Sequence, residues 1–167
     1  MIDSFTGSYR YLSNFHIVDI DFEGYTYRST EHAYQAAKTV NEKEREQIRL
    51  APTCRDAKRL GQKVTMRPDW EKNKVDVMYI LCKQKFMQEP LRTALLATGE
   101  EELVEGNTWN DTFWGVCRGV GENHLGKILM RIRLEVGGEE ADRWTAEDVE
   151  RAKKGSTEDL SFLDADD

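Results

Sequence analysis

A change of hydrophobic period at Ser29 constrains this chain more than any other feature. Before it, Val18, Ile20 and Phe22 alternate with acidic residues, and Tyr25 and Tyr27 resume the alternation beyond Glu23-Gly24. A period of two turns one face of each segment toward a core, and Glu23-Gly24 suits a two-residue turn, so these residues predict an antiparallel hairpin. After Ser29 the pattern becomes helical. Asn41 with Glu44 and Thr53 with Asp56 resemble capping-box starts, Pro52 separates the two helices they open, and Gly61 ends the second. A longer helix begins at Asp69, with Val75, Met78, Tyr79, Cys82 and Phe86 as its buried stripe. Pro90 opens another helix, closed by Gly99, and a final one spans about residues 125–136. The expected fold is α+β: a helix-rich single domain with a small antiparallel β-sheet.

The charge is unevenly placed. Residues 139–167 hold eleven acids against four bases, and the resulting net of −7 equals that of the whole chain, so residues 1–138 are neutral overall. The acidic balance therefore does not argue against a phosphorylated ligand on the body, but a surface that coats nucleic acid would need a basic excess. Two segments are expected: a folded domain over 1–138 and an acidic tail over 139–167. In the tail, Thr145 to Asp148 can form a capping box and Trp144 with Val149 a hydrophobic staple, giving a short helix to about Lys154. Leu160 to Leu163 form an apolar hook, a candidate either to fold back onto the body or to contact a protein partner, and the plainer reading is a solvated tail. No apolar run approaches the roughly 18 residues that cross a membrane, and no signal peptide is evident, so a cytoplasmic protein is expected. Cys54, Cys82 and Cys117 are scattered, as are His16, His32 and His124, so neither a disulfide framework nor a metal site is indicated. No glycine motif for a nucleotide cofactor is present, and no cofactor is expected.

Two segments carry candidate chemistry. Glu105 to Gly115 packs carboxylates, carboxamides and Trp109 and Trp114 into a short glycine-bounded stretch. Carboxylates can protonate a leaving group or steady a cation, amides can grip hydroxyls and phosphates, and indoles can stack on a heterocycle. The same composition also suits a turn-rich loop with tryptophan anchors. Ser29 to Lys38 opens with hydroxyl residues that can cap a helix and sets Glu31, Gln35 and Lys38 on one face, with Ala33, Ala36, Ala37 and Val40 opposite. An acid, an amide and an amine on one face suit chemistry at an electrophilic carbon. The plainer reading is a solvated polar face.

Taken in order along the chain, these segments resemble the NADAR family, also called YbiA-like. Leu12-Ser-Asn-Phe15 precedes the Thr-Glu-His helix that ends in Gln35 and Lys38. Then come Ala57-Lys-Arg-Leu-Gly61, Asp69-Trp-Glu71, the Lys85-Phe86 pair, Leu103-Val-Glu-Gly-Asn107, Trp109 with Asp111 and Trp114-Gly115, and Gly121-Glu-Asn-His-Leu-Gly126. The resemblance runs from about Phe5 to Val136. It implies cleavage of N-glycosidic bonds, either in phosphoribosylamino-pyrimidines of the riboflavin pathway or in ADP-ribose attached to guanine, free or in nucleic acid.

Breaking a ribosyl C1–N bond builds positive charge on the sugar and needs a proton for the leaving base. Glu31 and Asp111 are the carboxylates at the motif positions. Lys38 is the candidate for an amine that attacks C1 and passes through an iminium. For substrate binding, Trp114 and Trp109 can stack on the base, Asn14 and Asn123 can hold ribose or phosphate oxygens, and Gln35 shares the polar face. Gly115, Gly121 and Gly126 allow close backbone approach, and Arg59 and Lys58 can contact phosphate. Trp70 suits a core or a ligand role equally, and His32 is read as a brace of the core. A non-catalytic reader of ADP-ribose or a related nucleotide would use the same stacking groups, but it has no need of Glu31, Asp111 and Lys38 together.

Overall fold

The computed structural model describes residues 1–137. Its contacts divide these into two compact units: Asn14–Lys85, and Met1–Ser13 together with the chain from Phe86 onward. The tail helix, its staple and the hook of Leu160 to Leu163 lie outside the described residues.

In the Asn14–Lys85 unit the expected hairpin is formed by β1 (Ile17–Phe22) and β2 (Tyr25–Ser29), which pair antiparallel. Glu23 and Gly24 both take positive φ, 46° and 89°, as a tight turn matched to strand twist requires. Register slips between Ile17, opposite Ser29, and Ile20, opposite Tyr27, so β1 carries a bulge. Ile20 and Tyr27 are buried on the inner face.

Three short helices follow, each begun by a side chain that accepts an orphaned N–H. Ser29 accepts from His32 at the start of α1 (Thr30–Ala37). Asn41 accepts from Glu44 in α2 (Glu42–Arg49), and Thr53 from Asp56 in α3 (Cys54–Gly61). Each cap is worth roughly 1 kcal/mol. The reciprocal half of the capping box at Asn41 is not made. The Glu44 carboxylate accepts instead from Thr39 Oγ1 (2.8 Å) and Thr65 N (3.1 Å), so tertiary contact overrides the local motif. α1 packs against the hairpin, α2 and α3.

The next helix, α4 (Trp70–Phe86), buries Met78, Leu81, Cys82, Lys85 and Phe86. Two corrections follow. Val75 and Tyr79 are only partly covered, and Lys85 occupies a stripe position that periodicity assigns to an apolar residue.

The other unit contains a 3-10 helix at Gly7–Leu12, then α5 (Leu91–Leu96), β3 (Gly106–Asn107), β4 (Val116–Cys117) and α6 (His124–Gly137). α5 is shorter than expected. Helical bonding gives way to a turn in which the Gly99 N–H donates to Leu96 O, with φ of 63° at Gly99. β3 and β4 pair parallel over two residues each, a contact the sequence pattern does not show. Leu91, Leu95, Leu103, Leu125, Leu129 and Ile132 are buried, each contributing roughly 1.5–3 kcal/mol. The Tyr11 hydroxyl donates to Ala94 O at 2.9 Å, and the Arg92 guanidinium caps the end of α6 through Val136 O at 2.8 Å.

Candidate active site

α1 is buried along its whole length, because the hairpin, α2 and α3 cover it from several sides. The polar face is therefore desolvated, against the plainer reading of a solvated one: Glu31 is 7% exposed and Gln35 4%. Val40, expected on the apolar side, is exposed instead, because the helix ends before it. Gln35 Nε2 donates to Glu31 Oε1 at 2.8 Å, a pairing that follows from their one-turn spacing. Asn14 braces the same helix: its carbonyl accepts the Glu31 N–H at 3.1 Å, while its side chain reaches Met78 Sδ and Cys82 Sγ.

Lys38 caps the C-terminal end of α1, half-buried, with its ammonium 5.7 Å from the Tyr34 ring centroid. Tyr34 packs on the buried Trp70, ring centroids 5.2 Å apart, which settles Trp70 as core. Burial pushes the Lys38 amine below the ordinary lysine range. Glu31 and Glu71 pull it back up, and Lys58 and Lys74 push it further down. An amine so disposed has a larger unprotonated fraction near neutrality, the form that attacks carbon.

Of the two candidate phosphate groups on α3, Lys58 is half-buried and acts on Lys38, whereas Arg59 is exposed and pairs with Asp56 at 3.3 Å. Lys74 and Glu71, paired at 2.7 Å, complete the charged surroundings of Lys38. Sequence reasoning missed both; the only signal was their place in and beside the Asp69-Trp-Glu71 element.

His32 braces the core as expected. Its ring nitrogens meet Ser29 Oγ at 2.6 Å and Ala51 O at 3.0 Å, and burial holds its pKa down to about 4. The unforeseen group here is Lys85. It is fully buried, and desolvation lowers its pKa to about 7, partly offset by Cys82 and Cys54. The neighbouring His16 is held down to about 3 by burial and by the Lys85 charge.

In the other unit, the 105–126 segment directs its polar groups largely at its own backbone. Asp111 Oδ1 accepts from the N–H groups of Phe113 (3.2 Å) and Trp114 (2.9 Å). Asn107 accepts the Asp111 N–H at 3.1 Å and donates to Asp111 O at 2.9 Å and Glu105 Oε2 at 3.0 Å. Asn123, 7% exposed, donates to Leu103 O (2.9 Å) and accepts from Glu105 N (3.0 Å), so both ends of its amide hold chain together. Gly115 and Gly126 are close-approach positions of the same scaffold. A Cβ at Gly115 would stand 1.9 Å from Glu105 Oε2, and one at Gly126 2.1 Å from Leu103 O. Trp114 is half-buried and packs edge-on to Phe113 at 4.8 Å, whereas Trp109 is 57% exposed. Among the described residues no group of His, Cys, Asp and Glu is arranged to hold a metal ion, and no helix is long and apolar enough to cross a membrane.

The fold is helix-rich α+β, and its α1 carries a desolvated acid and amide with an amine at the C-cap. The chain belongs to the NADAR domain family, whose model matches residues 4–136. The chain is 39% identical over 137 residues to the N-glycosidase YbiA of Escherichia coli, covering 80% of this chain and 85% of that protein. It is 38% identical over 135 residues to an N-glycosidase of Nostoc punctiforme, covering 77% and 86%. The riboflavin biosynthesis protein PYRR of Zea mays is 40% identical over 128 residues, 68% of this chain and 20% of that one. The NMR structure of Escherichia coli YbiA matches with a TM-score of 0.72 at 35% identity, covering 87% of this chain and 92% of that chain.

Proposed function

We propose that this N-glycosidase hydrolyses the C1–N bond of a ribosyl nucleotide-type substrate, either a phosphoribosylamino-pyrimidine or ADP-ribose linked to guanine. The enzyme class rests on family membership and on identity to named N-glycosidases across most of the chain. The choice of substrate is the proposal, and the riboflavin name of the Zea mays relative favours the pyrimidine ribotide.

The observation that carries the mechanism is the buried face of α1, where Glu31 and Gln35 are desolvated and the Lys38 amine is shifted down. As the C1–N bond lengthens, positive charge develops on the ribose, and the Glu31 carboxylate stabilises it. The neutral Lys38 nitrogen bonds to C1 while the electron pair of the breaking bond leaves with the base. The proton lost by Lys38 passes to Glu31 and from there to the departing base nitrogen. Ring opening of the ribosyl-lysine gives an iminium, and water hydrolyses it to free sugar and amine. Asp111, whose Oδ1 accepts from the N–H groups of Phe113 and Trp114, is proposed to serve catalysis by holding its loop in shape. Trp114 and Trp109 are proposed to stack on the base, Lys58 and Arg59 to contact phosphate, and Asn14 to hold a ribose oxygen. The protein is taken to work in the cytoplasm.

Incubation with a phosphoribosylamino-pyrimidine, an ADP-ribosylated guanosine nucleotide and NAD in parallel, with mass detection of the released base, tests the reading. Release from one of the first two, lost in Glu31→Gln, is expected. Release from neither, by a folded protein, overturns the substrate assignment.

A further inference from the structure

Gln35 makes an unusual choice of orientation. Its amide nitrogen donates to Glu31 Oε1, yet its carbonyl Oε1 is buried and has no hydrogen-bond partner. An unpartnered carbonyl in the interior is costly, so an amide settles there only if its other end is needed where it is. Rotated by half a turn, the amide would set its carbonyl against the Glu31 carboxylate and lose the bond.

What the carbonyl meets is Gly61, the last residue of α3. A Cβ at this position would stand 1.9 Å from Gln35 Oε1, 2.6 Å from its Cδ and 2.9 Å from its Cβ. Only the glycine α-hydrogen fits, so the carbonyl is seated against a Cα–H group, a weak contact that nonetheless fills the space. Gly61 is helical and its φ is not in the left-handed region, so alanine there would by itself favour the helix. The need for glycine comes from the Gln35 side chain and not from the backbone.

We propose that Gln35 and Gly61 together position Glu31: α3 presents a bare α-carbon that wedges the Gln35 amide into the one orientation that holds the carboxylate by an N–H. This rests on Glu31 being the catalytic carboxylate. It makes Gln35 a positioning residue, with Gly61 acting through it.

A double-mutant cycle tests the coupling, with kcat and KM measured on whichever of the two probes above the enzyme cleaves. Gly61→Ala displaces the amide and is expected to lower kcat about tenfold to hundredfold while KM changes less than about threefold. In a Gln35→Ala background the obstruction is gone, and Gly61→Ala should then change kcat by less than about twofold. Gln35→Met, which keeps volume and loses the donor, should lower kcat like Gly61→Ala. It carries the test if Gly61→Ala does not fold. Wild-type kcat in Gln35→Met, or the same loss from Gly61→Ala in both backgrounds, overturns the inference. Full turnover by Glu31→Gln would instead overturn the catalytic reading beneath it. Loss of turnover there with an additive cycle overturns the positioning role alone.

Discussion

The buried face of α1 and the 105–126 loop use the same residue types, acids, carboxamides and aromatics, in opposite ways. On α1 the polar side chains meet one another: Gln35 holds Glu31, and Lys38 feels Glu31, Lys58, Lys74 and Glu71. In the loop they meet backbone: Asp111 takes two N–H groups, and Asn107 and Asn123 stitch chain to chain. Side chains that satisfy one another in a desolvated place keep the capacity to exchange protons and charge. Side chains that satisfy backbone are committed to holding shape. The mechanism proposed above accordingly places reactivity on the helix and scaffolding in the loop.

The strongest way to break this contrast is Glu31→Gln, which keeps size and removes charge and proton transfer. A fall in kcat of about a thousandfold or more, with Tm little changed, is expected. Near-normal turnover would move the chemistry off α1. Next is Lys38→Arg, whose guanidinium stays protonated and cannot attack carbon. Borohydride added during turnover should fix a sugar adduct on the wild type and none on the variant, with kcat down about a hundredfold. An active arginine variant without a trappable wild-type adduct would leave direct attack by water.

The loop offers a graded comparison. Asp111→Asn keeps an acceptor for the two N–H groups and removes only charge, so a loss of about tenfold is expected. Asp111→Ala frees the loop as well and should cost more, with a measurable drop in Tm. Equal, thousandfold losses in both would place Asp111 beside Glu31 as a reacting group.

A finer probe is Lys58→Met. Removing a like charge raises the Lys38 pKa, so the acid limb of the pH–kcat profile should move to higher pH, while the lost phosphate contact is read separately as a rise in KM. An unmoved limb would separate Lys38 from its charged neighbours.

The smallest effect on activity is expected at Lys85, where the readout is stability. Its folded pKa of about 7 lies below the ordinary 10.5, so between these values the unfolded chain binds a proton that the folded chain does not. Stability contributed by this group rises as pH increases through that window, and the penalty is complete below it. Urea unfolding at about pH 6.5 and about pH 10 should show that rise in the wild type and a flatter response in Lys85→Met. Equal slopes would mean the Lys85 amine is not held down by burial.

The amino-acid sequence by itself determined the hairpin, the three capped helices and the long α4, because turn chemistry, caps and period act over a few residues and are read from neighbours. It also brought Glu31, Gln35 and Lys38 to one helix face, since their spacing alone decides that. It did not determine that the face is buried, which depends on the hairpin, α2 and α3 closing over α1. Nor did it show that Asp111 and Asn123 grip backbone, or that Lys58 rather than Arg59 acts on Lys38. Those are contacts between segments distant along the chain, or choices of side-chain direction, and composition is silent about both. Gly61 marks the boundary most clearly. In the sequence it is a helix end, and only the packing of α3 on α1 sets its bare α-carbon against the Gln35 side chain.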